Sequence, residues 1–517
     1  VFEERPIGTI EAEQKHYLSK VTREAGYAFT GKVFGLLFGF VSQAIIARLL
    51  GADLLGVFVL AWTVVVGVTI LTTLGFEFSL VRFVSKYASS GKKGEARSVF
   101  LLGARLTLAM SVVGTLAIIF FREQLAVGAF NEPRLSQALI WISLAVLPFS
   151  FMKTMSGALR GLKDVKGVTI AFEGSHRVLK FVLFLVFFYL GHRLLGIVFA
   201  QVFATLVSAV LLVYFLRRRG PFLFGGAPRS PVTIPRKDIV VYSGAMLADS
   251  SVAFAMQHSG RLVLGIFLAS ADVGVYNVAA LVGSLITFVL LSFNMIFSPV
   301  VSDLFHRDRF DLLRPIFRSV TRWTIIFSLP IYAWVLAAGE VTLGVFGTEF
   351  IRGYAALALL GTGLMIAVST GPVGVALAMT GHQKWNVYNA IAMAIIAIGL
   401  NFVLVPRMGI AGAGIAAGAA QALVKLARLI QVRFLLKMWP YDRSTLKVLA
   451  TALVTVGLAL LSRHYLHVPR GVEWSAAVFF VCVAVVALLT IALGIAEEDR
   501  LVLASVLKRL RRSRRGE

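Results

Sequence analysis

Apolar residues in this chain come in runs of about 20, separated by short polar interruptions, and none of the runs shows the strict alternation of a lipid-facing strand. A helix of that length crosses a hydrocarbon layer about 30 Å thick, and a helix satisfies its own backbone hydrogen bonds there. Runs begin near Gly26, Leu54, Ser98, Leu135, Val168, Leu194, Ile239 and Val273, then near Arg322, Gly353, Val387, Gly409, Leu446 and Trp474. The pattern predicts an all-α polytopic membrane protein with about fourteen transmembrane helices.

Composition removes the alternatives. Of 517 residues 58% are hydrophobic and only 15% charged, with a mean hydropathy of +0.84, which excludes a soluble globular enzyme and a disordered chain. The net charge of +25 would suggest a nucleic-acid partner in a soluble protein. Here 42 of the 51 Lys and Arg instead sort by side, with 35 in the connections of one face and 7 in those of the other, and nine fall within the proposed spans. Read by the positive-inside rule, both termini are cytoplasmic and the number of spans is even, in a multi-pass protein of the cytoplasmic membrane with no nucleic-acid partner. The first 25 residues are charged and lack the apolar core of a signal peptide, so the first span is expected to direct insertion. A single cysteine, Cys482, excludes an intramolecular disulfide and speaks against a cysteine metal site.

Internal symmetry organises the spans. LLGADLLGVFVLA from Leu49 aligns without a gap on FLASADVGVYNVA from Phe267, and ALRGLKD from Ala158 echoes AMTGHQK from Ala378. Six spans separate the copies, so the halves insert in the same orientation as two parallel six-helix repeats forming two lobes, with two extra C-terminal helices. The expected division is a cytoplasmic segment 1–25, an N-lobe 26–216, a Pro- and Gly-rich linker 217–238, a C-lobe 239–437, two further spans in 438–496 and a basic tail 497–517. Gly381 with His382 predicts a tight interior turn, Pro406 with Gly409 a short outer one. Gly414 and Gly418 have the small-xxx-small spacing of close helix packing.

The segments RLVLGIFLASADVGVYNVAALVGS from Arg261, LGVFGTEFIRGYAALALLGTG from Leu343, AMTGHQKWNVYNAI from Ala378 and LNFVLVPRMGIAGAGIAAGAAQAL from Leu400 carry a family likeness. In them the chain resembles the multidrug/oligosaccharidyl-lipid/polysaccharide (MOP) exporter superfamily, and within it the polysaccharide transporter (Wzx-like) flippases. Gly260 departs from the pattern, since many relatives carry an acidic residue there, and no acidic role is carried over to it. The resemblance implies alternating access and cationic groups in spans one and seven that hold a diphosphate headgroup, which on this chain are Lys32 and Arg261. It also implies that spans thirteen and fourteen form a groove for the lipid tail.

Intramembrane charge is the strongest functional signal in the residues themselves. Glu173, His176, Arg177 and Lys180 in span five follow an i, i+3, i+4, i+7 spacing, which predicts one polar helix face lining water or paired internally. Pairing of Glu173 with Arg177 at i, i+4 leaves Lys180 without a local counter-ion. Lys32, His176, Arg177, Lys180 and Arg261 are therefore the candidate substrate-binding residues, and Glu77, Glu173 and Asp249 the candidate counter-ions or coupling groups. Lys425, Arg428 and Arg463 read as snorkelling side chains. No phosphate loop, paired-histidine metal motif or nucleophile elbow occurs, so no enzyme, cofactor or metal is expected.

Together these readings predict a flippase for a polyprenyl-diphosphate-linked oligosaccharide, moved through a cationic central cavity for surface glycan assembly. Membrane lipids, and a glycan polymerase or glycosyltransferase, are its expected partners. The rivals are a cation-coupled drug antiporter of the same superfamily, which would rely on acidic intramembrane groups, and a non-transporting scaffold of a glycan-assembly complex.

Overall fold

The computed structural model describes residues 7–225, 234–465 and 472–492, with side chains from residue 31 onward except Lys32, Ile296, 464–465 and Val472. The side chains of the segment 1–25, residues 226–233 of the expected linker and the whole tail 497–517 lie outside the described residues. The described chain is all-α: α1 (Ile7–Thr73), α2 (Phe76–Ser89), α3 (Lys93–Glu123), α4 (Pro133–Ser143), α5 (Val146–Gly161), α6 (Val165–Thr169), α7 (His176–Tyr189) and α8 (Leu194–Arg219). There follow α9 (Arg236–Phe267), α10 (Ser270–His306), α11 (Phe310–Gly344), α12 (Tyr354–Ser369), α13 (Val373–Met379), α14 (Gln383–Leu436), α15 (Arg443–Tyr465) and α16 (Val472–Ala492). The chain forms two compact units, Val1–Phe254 and Ala255–Glu517.

Among the described residues ten helices are long and apolar enough to cross a membrane, or eleven if the bent pair α4 and α5 counts as one span. Two of the ten are too long to be single crossings. Val33–Thr73 has 41 residues and Gln383–Leu436 has 54, whereas about 20 residues suffice to cross the hydrocarbon layer. Each is interrupted by one glycine in a backbone conformation that L side chains avoid, Gly51 (φ 79°, ψ 169°) and Gly409 (φ 61°, ψ −136°). In α14 the chain folds back at that glycine. Met393 and Ala397 on one arm share a buried cluster with Ala420 and Val424 on the other. A β-carbon on Gly412 would strike the carbonyl of Leu404, eight residues earlier, which a continuous helix would hold about 12 Å away.

Breaks recur along the chain at a near-constant interval. Gly51 and Ala269, Gly91 and Asp308, Asn131 and Gly347, Gly161 and Gly381, and Gly191 and Gly409 all stand at or beside helix ends, each pair 216 to 220 residues apart. The sequence echo covers two of these pairs; the other three emerge only from the backbone.

Helix contacts within each unit rest on small residues, as expected where lipid offers no hydrophobic drive between helices. In the first unit a β-carbon on Gly157 of α5 would collide with the backbone of Glu77 in α2, beside a buried cluster that includes Phe76, Leu80, Met152, Met155 and Leu212. In the second, Gly414 and Gly418 of α14 lie against the α12 backbone, at Ala356 and at Leu359 to Gly363, the close packing their spacing predicts.

The connection holding Arg307, Arg309, Arg314, Arg318 and Arg322, which counts on the cation-rich, interior side, is mostly helix. Only Arg307–Arg309 turn, and α11 begins at Phe310 because Leu313 and Phe317 are buried in the cluster of Phe297, Val301 and Val373. Arg322 is 1% exposed. Its Nη1 lies 2.8 Å from Asp442 Oδ2 and its Nη2 donates to Ser319 Oγ, so one ion pair fixes the start of α15 to α11. Asp442 also caps α15, accepting from the backbone N–H and hydroxyl of Thr445. Burial opposes ionisation there, but the Thr445 hydrogen bonds and the Arg322 guanidinium outweigh it and hold the Asp442 carboxyl below its ordinary range.

Candidate functional site

Span five is built from α6, a π-helical segment Ile170–Ser175 and α7. Asp164 opens it by accepting from Gly167 N–H at 3.0 Å. It lies along a glycine stripe on α1, Gly31, Gly35 and Gly39, into which Thr169, Glu173 and Arg177 insert. A β-carbon at position 35 would come within 2.5 Å of Glu173 Oε2, and one at position 39 within 2.7 Å of Arg177 Nη1. The partners advance together, 31 with 169, 35 with 173 and 39 with 177, so the two segments run parallel.

The four charged and polar residues of this segment do not act as one face. Arg177 pairs with Glu173 at 2.8 Å and donates from Nη1 to the Gly35 carbonyl at 2.7 Å. His176, about 100° round the helix from Arg177, turns to α8 instead, where its Nε2 lies 3.1 Å from Gln201 Nε2 and 3.4 Å from Thr205 Oγ1. Lys180 is half-buried and has neither a hydrogen bond nor an ion pair among the described residues.

The candidate counter-ions divide similarly. Glu77 lies in the first turn of α2 and pairs with Lys153 of α5 at 3.4 Å, and among the described residues it makes no ion pair with a span-five cation. Asp249 is exposed and forms no ion pair among the described residues. The side chain of Lys32 lies outside the described residues.

Arg261 donates from Nη1 to His258 Nδ1 at 3.0 Å, while its Nε is buried without an acceptor. No carboxylate pairs with it among the described residues. Gly260 has its own physical reason: a β-carbon there would come within 3.0 Å of the Tyr276 hydroxyl. Close by in sequence, Ser259 contacts the fully buried Asn401, whose Nδ2 donates to it at 3.4 Å and to the Ala397 carbonyl at 2.7 Å.

Several functional-looking groups escape the sequence reading. Arg428 does not snorkel outward; its Nη2 reaches the Asn386 carbonyl within α14 at 3.5 Å. Arg134 grips Asp53 through two nitrogens, Nη2 at 2.9 Å from Oδ1, and Arg352 grips Asp272 at 3.0 Å. Arg134 and Arg352 are 218 residues apart, so the repeat interval applied to one arginine finds the other. Hydrogen bonds from Arg134 to Glu132 and then Asp53 raise its pKa further above the ordinary arginine value. Arg463 pairs with Glu340 at 2.7 Å and stacks over Tyr354 at 3.9 Å.

An apolar cavity of about 320 Å³ lies among α11, α15 and α16, with Ala337, Leu458, Trp474, Val478, Val481 and Cys482 in its lining. Its wall is fixed by Ser475, which accepts from Trp334 Nε1 at 2.9 Å and lies 3.0 Å from Thr342 Oγ1. Among the described residues no three His, Cys, Asp or Glu side chains come together as a metal-ligand group.

The profile of the polysaccharide biosynthesis protein family matches residues 21–305. Stage V sporulation protein B of Bacillus subtilis (strain 168) is 20% identical over 135 residues, so the match spans about a quarter (26%) of either chain. Among solved structures, the lipid II flippase MurJ in an inward closed conformation superposes with a TM-score of 0.71 at 11% identity, over 90% of this chain and 97% of that one. An inward-facing multidrug resistance MATE family transporter of the MOP superfamily gives 0.64 at 15% identity, over 77% and 94%. A MOP superfamily transporter from Pyrococcus furiosus, described as having a binding pocket of reverse polarity, gives 0.54 at 17% identity, over 80% and 95%. At these identities the structural likenesses establish the fold.

Proposed function

The chain belongs to the polysaccharide biosynthesis protein family and has the MOP exporter fold, and on that premise we propose that it flips a polyprenyl-diphosphate-linked oligosaccharide to the outer leaflet by alternating access. One observation carries the substrate class: intramembrane cations outnumber the carboxylates able to neutralise them. Glu173 is taken by Arg177 and Glu77 by Lys153, while Lys180 and Arg261 meet no carboxylate among the described residues. An uncompensated Lys or Arg costs roughly 2.5 to 3.5 kcal/mol at the bilayer centre, so such groups call for an anionic partner. A diphosphate supplies it. Lys180, Arg261 and, from the sequence, Lys32 take the headgroup; Glu173, Arg177 and His176 position span five.

The finer architecture follows the same reading. The fold-back at Gly409, the break at Gly51, the bent pair α4 and α5, and α6 with α7 as one crossing together give fourteen spans. The recurring breaks and the twin Arg134–Asp53 and Arg352–Asp272 pairs support two parallel six-helix repeats. The 35-to-7 asymmetry supports cytoplasmic termini. The apolar cavity among α11, α15 and α16 suits a segment of the lipid tail. A polymerase or glycosyltransferase outside the membrane would receive the glycan.

Asp249 favours a second reading, since an exposed carboxylate without an ion pair is what a cation-coupled antiporter needs. The test uses liposomes loaded with a fluorescent polyprenyl-diphosphate oligosaccharide and an external glycosidase. Protein-dependent exposure should fall about 10- to 100-fold with Lys180→Ala or Arg261→Ala, the loss of a charged contact of roughly 1.5 to 3 kcal/mol. Unchanged exposure in both variants would contradict the site. Drug efflux that depends on Asp249, without glycan movement, would establish the antiporter, and no transport of either kind would leave the scaffold.

A further inference from the structure

The hairpin α14 carries five cations, Lys384, Arg407, Lys425, Arg428 and Arg433, and not one carboxylate. Lys425 and Arg428 lie one turn apart on its second arm, about 24 and 28 Å along the helix from the turn at Gly409 and so within its membrane-crossing stretch. Lys425 makes no hydrogen bond or ion pair among the described residues. Arg428 is turned inward, with Nη2 toward the Asn386 carbonyl and Nη1 over Gly374, where a β-carbon would come within 3.3 Å. Its Nε is buried without an acceptor.

Across from it, Asn386 donates from Nδ2 to the Gly374 carbonyl at 2.9 Å, which leaves its Oδ1 buried without a donor. Asn389 and Gln431 exchange amide hydrogen bonds at 2.7 and 3.1 Å and lock the two arms in register. This part of the hairpin therefore offers an ammonium with free donors, a guanidinium N–H lacking an acceptor and an amide oxygen lacking a donor. The guanidinium N–H and the amide oxygen are buried, and a buried polar group is costly to leave unmatched.

Chloride would satisfy only the donors. A phosphate-bearing anion matches the whole set: its oxygens accept from Lys425 and Arg428, a P–OH donates to Asn386, and up to two negative charges balance two positive ones. We propose that Lys425, Arg428 and Asn386 form a binding site for a phosphate or diphosphate group, either a free anion or a lipid headgroup. The site is separate from the residues assigned to flipping, and it stands without that reading because it concerns binding alone.

The full chain, purified in detergent, is titrated calorimetrically with inorganic pyrophosphate, and in nanodiscs with farnesyl diphosphate. Lys425→Gln and Asn386→Asp should each weaken binding at least tenfold, whereas Arg407→Gln, at an exposed position of the same hairpin, should leave this binding step in place. Asn386→Asp keeps the side-chain shape and sets a carboxylate beside Arg428 but gives up the donation to the Gly374 carbonyl, so it should lose the anion, while Lys425→Gln, which breaks no hydrogen bond or ion pair among the described residues, should lose it with the anion-free melting temperature unchanged. Saturation by pyrophosphate identifies a free anion, and saturation by farnesyl diphosphate alone a lipid headgroup; either supports the site. Equal affinity in the wild type and both site variants, equal competition by chloride, or no saturable binding would overturn it. Binding that is intact while glycan movement is absent would overturn the proposed function and leave this site standing.

Discussion

Arg177 in span five of the first unit and Arg428 in the hairpin α14 of the second are both guanidinium groups packed against a second helical segment, yet their charges are met in opposite ways. In span five a carboxylate one turn away neutralises Arg177, and a glycine stripe on α1 receives the pair. In α14 no carboxylate exists, and Arg428 and Lys425 are left with unmatched donors. The positions in α14 that lie 218 residues beyond Glu173 and Arg177 are Ile391 and Ile395, so the charged pair of span five has no counterpart there. A paired charge holds helices together, whereas one without a carboxylate in the same setting keeps donors that an anion would satisfy.

The sharpest way to break this comparison is to unpair a charge that the fold has paired. Asp442→Ala takes a carboxylate from the fully buried Arg322 and the cap from α15, and should cost about 3 to 5 kcal/mol, read as lost thermal stability in detergent. The same pair sets a pH limit. Because the folded Asp442 pKa is depressed, its contribution is complete above the ordinary carboxylate pKa and fades only as pH falls through the folded value. Melting temperatures of wild type and Asp442→Asn should therefore differ by a constant amount from pH 8 to 5 and converge in stronger acid.

Next in size is the glycine stripe. Gly35→Leu forces a side chain into the space held by Glu173 and Arg177 and should destabilise by about 1 to 3 kcal/mol, with Gly399→Leu, at a helical glycine of α14 with open space around it, as the control for size in thermal unfolding. The smallest effects belong to the twin clasps. Arg134→Ala and Arg352→Ala break half-exposed pairs and should each cost under about 1 kcal/mol, by similar amounts and less in high salt. Unequal costs would speak against their being repeat equivalents.

How far the sequence reveals this arrangement depends on range. Apolar runs mark where helices lie, and Gly409 and Gly381 are legible as turns because a positive φ there suits glycine. The pairing of Glu173 with Arg177 is legible because i, i+4 neighbours meet on any helix. The pairing of Glu77 with Lys153 is not, since the residues stand 76 apart on different helices. Arg322 reads as a loop cation for the same reason: its partner Asp442 lies 120 residues away. The Gly31, Gly35 and Gly39 spacing announces a close contact, but nothing in one sequence says that span five fills it. His176 and Arg177 look like one cluster in the sequence because they are adjacent, and the helix sends them to different neighbours.

The most direct test of the central claim compares charges that are paired with charges that are not, in one flipping assay. Liposomes holding the fluorescent polyprenyl-diphosphate oligosaccharide are followed by external glycosidase for Lys180→Gln, Arg261→Gln and the double variant Glu173→Gln with Arg177→Gln. The account predicts a loss of tenfold or more for each single variant and less than about threefold for the double one, which removes a matched pair of charges together. A double variant that abolishes flipping while both single variants retain it would contradict the account and move the headgroup to the paired charges.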